Sequence, residues 1–200
     1  AVLQINFRGS EGYGKQFMRA GFKQWGLKMQ DDITDGVNWL IEKGIADKER
    51  IAIFGWSYGG YATLAGLTFT PDLYACGLDL WGISNYFTLY NSFPAYWKPF
   101  LKQINEHWGD PVADSLQMYQ TSPVFHVSNI KAPVFIAQSA NDSRVKLEQS
   151  AQLVQALKKH HKEYEYVLLE GEGHALFNEQ KTIALMKRVE AFLEKYLLNE

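Results

Sequence analysis

Three polar residues in this 200-residue chain stand where covalent catalysis could use them. Ser57 lies in Gly55-Trp56-Ser57-Tyr58-Gly59-Gly60, a G-x-S-x-G pattern. Before it, Arg50 to Phe54 (RIAIF) has the apolar content of a short buried strand. After it, Gly59 to Leu67 (GGYATLAGL) has the small residues of a helix packed closely on a sheet. That strand–serine–helix context makes a sharp turn, with the hydroxyl exposed at the carboxyl edge of the sheet. Glycines at 55 and 59 are expected to remove side chains that would clash in the turn. The Tyr58 N–H, next after the serine, would face a developing oxyanion.

A serine hydroxyl is a weak nucleophile until a base takes its proton, and the base needs an orienting acid. With this motif the chain order is serine, acid, histidine. Of the five histidines, His160 and His161 end a charged helix, and His107 and His126 precede the best acid. His174 instead follows a strand in the glycine-loosened loop Glu170-Gly171-Glu172-Gly173-His174, and is read as the base. Asp142 is the only carboxylate in Ser139-Ala140-Asn141-Asp142-Ser143-Arg144-Val145, directly after the strand PVFIAQ. Active-site groups of parallel sheets gather at such strand ends. Asp142 is therefore read as the acid, with a second possible role as cap of a helix starting near Val145.

Other chemistries fit poorly. There is no zinc-spaced Cys/His cluster, no H-E-x-x-H and no P-loop, and Gly9 to Gly14 does not read G-x-G-x-x-G. No metal and no organic cofactor is expected. A net charge of −2 gives no electrostatic reason for nucleic acid or an anionic membrane as partner. No apolar run approaches the roughly 20 residues of a membrane helix. The lone Cys76 cannot form an internal disulfide and is expected to be a buried, inert thiol.

The elements that must position these groups alternate along the chain. Strands are expected at 2–7, 50–54, 75–80, 133–138 and 164–169, and helices at 31–43, 58–69, 145–159 and 182–198. Alternation of this kind implies a mostly parallel sheet with helices on both faces, an α/β fold in one domain spanning 1–200. Residues 81–130, rich in aromatics and prolines, are read as a mostly helical excursion over the sheet edge. The opening AVLQINF reads as a strand entered from something upstream, so the chain is expected to be N-terminally truncated. Cytoplasmic and exported (periplasmic) locations both stay open.

Together these segments resemble the catalytic domain of the prolyl oligopeptidase family of serine peptidases, and most closely its acylaminoacyl-peptidase-like branch. The resemblance is carried by Asn6-Phe7-Arg8-Gly9-Ser10-Glu11-Gly12-Tyr13-Gly14, Trp25-Gly26 with Asp31-Asp32, and Gly55 to Tyr61. It continues through Tyr96-Trp97-Lys98-Pro99, Trp108-Gly109-Asp110-Pro111, Ser122-Pro123, Ala140 to Val145 and Glu172-Gly173-His174. It implies an α/β-hydrolase fold, the triad Ser57, Asp142 and His174, and hydrolysis of short or N-acylated peptides. It also implies a β-propeller and a second oxyanion loop, both expected upstream of residue 1, so residues 1–200 alone are expected to be weakly active. Two positions depart from the family pattern, Ser139 and Ala175, where glycine is usual.

Carried over residue by residue, the resemblance places a specificity pocket at Tyr58, Ile83, Tyr86, Leu89, Phe93 and Val145, with Arg144 at its mouth. These wall residues are apolar or aromatic, which favours an uncharged hydrophobic residue of a peptide substrate; Tyr86, Leu89 and Phe93 would serve equally as core of the excursion. Two alternatives to a peptidase stay open: a carboxylesterase with the same triad, and an inactive structural or homo-oligomer-forming piece.

Overall fold

The computed structural model describes residues 1–198. Four short apolar runs pair as one parallel sheet in the order β1 (Ala52–Trp56), β2 (Cys76–Leu80), β3 (Val134–Ser139) and β4 (Tyr164–Leu169). Parallel neighbours need long crossovers, and each connection here contains helix. Between β1 and β2 runs α3 (Tyr58–Phe69), and between β3 and β4 runs α7 (Leu147–Lys159). The register sets Gly55 beside Asp79, Asp79 beside Ile136, and Ser139 beside Leu169.

Alternate side chains of the strands feed two cores. On one face Ile53, Val134 and Ile136 meet Leu64 and Leu67 of α3, and Leu153 and Leu157 of α7. Val37 of α2 (Lys28–Glu42) joins the same core. On the other face Leu78, Phe135, Ala137 and Val167 meet Leu185, Val189 and Phe192 of α8 (Glu179–Leu197). Helices thus cover both faces, as the complete burial of β2 and β3 requires. Cys76 is buried and unpaired in the second core, and burial pushes its thiol up to about 11.

Two expected strands come out differently. Residues 2–7 pair with no strand among the described residues. A strand needs a neighbour's N–H and C=O groups, and β1 bonds only to β2. The segment instead packs on α2, where Gly36 leaves room: a Cβ there would sit 2.3 Å from Ile5 Cδ1. The Arg8 guanidinium and its backbone N–H both bond Asp32 of α2, fastening the turn that precedes the short α1 (Gly14–Arg19). The run expected to be a buried strand at 50–54 is the edge strand β1, with Phe54 57% and Trp56 49% exposed.

The excursion over 81–130 resolves into α4 (Tyr86–Asn91), α5 (Leu101–Trp108) and α6 (Ser115–Gln120), with 3-10 turns at Ala95–Phe100 and Pro123–Asn129. It encloses a third apolar cluster with Tyr61, Ala65, Ile83, Tyr86, Leu89, Met118 and Val145, bordered by Trp25, Tyr58, Phe93 and Trp108. This cluster lies between the first turn of α3 and the loop after β3, so it adjoins the site.

Candidate active site

Ser57 joins β1 to α3 with φ 58° and ψ −116°, a left-handed conformation unfavourable for a side chain. Its N–H bonds the Leu80 carbonyl at 2.9 Å, which pins the turn to the end of β2. The turn is tight at Gly55, where a Cβ would lie 2.1 Å from the Gly59 carbonyl oxygen. Gly59 itself has open space around it, so the expected clash there does not occur. The second crowded glycine is Gly60, where a Cβ would meet Asp79 Oδ1 at 2.4 Å. Tyr58 occupies the first turn of α3, where backbone N–H groups have no helical carbonyl to bond.

The three polar residues chosen from the sequence meet at the carboxyl edge of the sheet. His174 Nε2 stands 3.0 Å from Ser57 Oγ, and His174 Nδ1 stands 2.7 Å from Asp142 Oδ2. Asp142 follows β3, and its other oxygen, Oδ1, accepts from the N–H groups of Arg144 (2.8 Å) and Val145 (2.9 Å). Those bonds form a turn ahead of α7, whose N-cap is Lys146, so Asp142 folds its own loop rather than capping the helix. Its side chain is fully buried and that of His174 is 18% exposed. With Nδ1–H donated to the carboxylate, Nε2 is left to accept the serine hydroxyl proton; this tautomer follows from the bonding pattern. The loops carrying Asp142 and His174 are also joined directly, by Ala140 N–H to the Leu169 carbonyl (3.0 Å) and Asn141 N–H to the Glu172 carbonyl (3.1 Å).

Of the pocket residues expected from the resemblance, Ile83, Tyr86, Leu89 and Val145 are buried together, with Tyr58 and Phe93 packed against them. Arg144 is exposed on the loop after Asp142. The hydroxyls of Tyr58 and Tyr86 are buried without a hydrogen-bond partner, and burial raises both phenols. Trp25, Tyr61 and Trp108 complete the aromatic cluster: Trp25 touches Tyr58, Tyr61, Tyr86 and Trp108 at centroid distances of 4.7–5.4 Å.

Several supporting residues were not legible as such in the sequence. Gln149 of α7 is a buried hub. Its Oε1 accepts from the N–H groups of Ser84 (3.0 Å) and Asn85 (2.9 Å), and its Nε2 donates to the Asn85 carbonyl and Thr88 Oγ1. It ties the segment that carries Tyr86 and Leu89 to the helix following the acid loop. Ser139 has a partner that glycine would lack: its Oγ accepts the Trp81 indole N–H at 2.7 Å. The Trp81 and Trp56 rings lie tilted with centroids 5.6 Å apart, and Trp56 is likewise tilted against His174 at 6.1 Å. Asp79 is buried beside Gly60 and Gly82, and desolvation pushes its carboxyl up to about 7 against the opposing Gly82 N–H. A buried glutamine or aspartate carries no periodic pattern; the one hint was a polar residue inside an apolar run, as at Asp79 in CGLDL.

Comparison with known proteins places this arrangement. The model of the prolyl oligopeptidase family matches residues 1–200. A dipeptidyl aminopeptidase BIII of Pseudoxanthomonas mexicana is 44% identical over 199 residues, covering 98% of this chain and 29% of that protein. A puromycin-hydrolysing peptidase of Mycobacterium tuberculosis superposes with a TM-score of 0.91 at 29% identity, covering 98% of this chain and 29% of that one. An acylaminoacyl peptidase in complex with Z-Gly-Gly-Phe-chloromethyl ketone superposes at 0.87 with 32% identity, covering 96% of this chain and 31% of that one. The chain thus spans less than a third of the length of these relatives.

Proposed function

Since this chain belongs to the prolyl oligopeptidase family, we propose that it is the catalytic α/β-hydrolase unit of a serine peptidase working by acyl transfer. Ser57 Oγ attacks the scissile carbonyl carbon while its proton passes to His174 Nε2. Asp142 keeps the imidazole in the required tautomer and stabilises the imidazolium as it forms. The Tyr58 N–H receives the oxyanion, with a second donor supplied from outside these residues. His174 then protonates the leaving amine, the amide bond breaks, and the acyl group remains on Ser57 as an ester. Water, losing its proton to His174, cleaves that ester and frees the acid, and the proton returns to Ser57. The observation carrying this reading is the continuous line of contacts from Asp142 Oδ2 through His174 to Ser57 Oγ, at 2.7 and 3.0 Å.

The substrates are short or N-acylated peptides with a hydrophobic residue before the bond cut. The apolar cluster of Ile83, Tyr86, Leu89 and Val145 beside Tyr58 supports this. So does the acylaminoacyl peptidase relative, whose chloromethyl ketone ligand ends in Phe. Arg144, exposed after Asp142, would bond the carbonyl of a blocking group. A fluorophosphonate probe tests the reading: it should leave one adduct on the Ser57 peptide of the chain and none on Ser57→Ala. A folded chain that takes up no adduct would overturn it. Turnover of an aminoacyl anilide against an aryl ester separates a peptidase from a carboxylesterase.

A further inference from the structure

The loop that carries His174 is closed across its base by a shielded ion pair, and we infer that Glu172 and Lys181 are positioning residues for that histidine. This inference rests on the triad reading above. The loop runs from the end of β4 to Asn178 and includes Gly171, with φ 73°, and Gly173. A segment with two glycines does not hold a side chain in place by its own stiffness, yet His174 must meet Asp142 and Ser57 at once.

The missing stiffness comes from the first turn of α8. Lys181 Nζ lies 2.9 Å from Glu172 Oε1 and donates to the Glu170 carbonyl at 2.5 Å. One ammonium group therefore ties two residues ahead of His174 to the helix that follows it. Lys181 is itself fixed, because its N–H bonds the side chain of the N-cap Asn178 at 3.0 Å. Glu172 also reaches the other way: its carbonyl accepts the N–H of Asn141, the neighbour of Asp142. A single residue thus spans from the acid loop to the helix beyond the base.

Burial separates this pair from the ion pairs on the surface. The Glu172 side chain is 9% exposed and that of Lys181 39%, whereas both partners of Lys131–Asp72 and Lys195–Glu163 are more than 60% exposed. Exposed pairs hold little. A shielded carboxylate that loses its cation is left uncompensated, and Glu172 stands two residues before His174 with the Phe177 N–H as its remaining partner.

The experiment uses the intact chain with Lys181→Met, Lys181→Arg, Glu172→Gln and, as a control on the same helix, Lys187→Met. Two quantities are read: the second-order rate of Ser57 labelling by a fluorophosphonate, and the downfield proton resonance of His174 Nδ1–H. Displacing a catalytic group by about 1 Å costs on the order of a hundredfold. Lys181→Met and Glu172→Gln should therefore label between about tenfold and a hundredfold more slowly, with the downfield proton broadened or lost. Lys181→Arg should recover most of both, and Lys187→Met should change neither. Wild-type labelling with an unmoved proton in Lys181→Met would overturn the inference. So would a loss of labelling accompanied by loss of folded circular dichroism that Lys181→Arg does not restore. A wild-type chain that shows the His174 proton but takes no label would instead refute the serine reading, and the proton alone would then report on the clamp.

Discussion

Asp142 divides its carboxylate between His174 and its own loop. Oδ2 lies 2.7 Å from His174 Nδ1, while Oδ1 accepts the N–H groups of Arg144 and Val145 at 2.8 and 2.9 Å. The carboxylate that orients His174 is thereby oriented itself, by donors two and three residues along.

Asp142→Asn should keep the fold and lose turnover by roughly 10⁴-fold, as for the aspartate of other triads. The two backbone donors will hold the amide oxygen, which turns the amide NH₂ toward His174 Nδ1. The imidazole must then carry its proton on Nε2, where it cannot accept one from Ser57. Steady-state kinetics should show the loss in kcat with KM little changed. Wild-type kcat in this variant would remove Asp142 from the acid role.

Ser57→Ala and Ser57→Gly should both lose at least about 10³-fold in activity, but they should differ in stability. The alanine keeps a Cβ at φ 58°, whereas the glycine is free of that strain. Denaturant unfolding should place Ser57→Gly above Ser57→Ala by about 1 kcal/mol. Equal midpoints would mean that the turn is unstrained.

Asp79→Asn should stabilise the chain at alkaline pH and much less at acid pH. In the folded chain burial opposes the charge of this carboxyl and pushes it up to about 7, against 3.8 for the ordinary group. Between those values the folded state holds a proton that the unfolded state has released. Stability therefore falls as pH rises from 4 to 7, then levels off. The asparagine removes that slope, with a difference at pH 8 of at most about 4 kcal/mol. Parallel pH–stability curves for the two proteins would show that Asp79 carries no such linkage.

Peptides with Phe, Leu or Ala before the scissile bond should be cleaved faster than those with Lys or Glu. Tyr58, Ile83, Tyr86, Leu89 and Val145 offer no charged partner in their cluster. Burying an unpaired charge there would cost several kcal/mol, on the order of a hundredfold or more in rate. A panel in which Lys or Glu substrates lead would move the pocket elsewhere.

Phe54→Lys should reduce self-association of the chain. β1 is an edge strand with exposed Phe54 and Trp56, and a charge on such an edge blocks pairing with another copy. Sedimentation velocity across a concentration series should show the wild type associating at lower concentration than the variant. Identical profiles would mean that association, if present, uses another surface.

The strand–serine–helix pattern was readable because its physics is local. RIAIF, GWSYGG and the small residues of α3 each specify a neighbour in sequence, and α3 runs over the expected residues, Tyr58–Phe69. Likewise β4 spans the expected Tyr164–Leu169. The segment at 2–7 has equally good strand composition, but a strand exists only beside a partner, and composition says nothing of partners. Side chains that fix the site from a distance were hidden for the same reason. Gln149 acts on residues more than 60 positions earlier, and Trp81 on Ser139 across 58 positions. Gly59, expected to relieve a clash, borders open space, while the crowding falls on Gly60 because Asp79 lies against it.

The bond between Ser57 and His174 joins residues 117 positions apart. A ribosome adding about 5–20 residues per second needs roughly 6–23 s to cover that distance. Throughout that interval the emerging chain contains Ser57 and lacks His174, so on the proposed mechanism it cannot acylate itself or cut its neighbours. The Asp142–His174 contact closes a shorter span of 32 residues, and both depend on the loop that follows β4. Chemical competence therefore waits for position 174: a nascent chain stalled before it should stay unlabelled by a serine-directed probe even where β1 and α3 have formed.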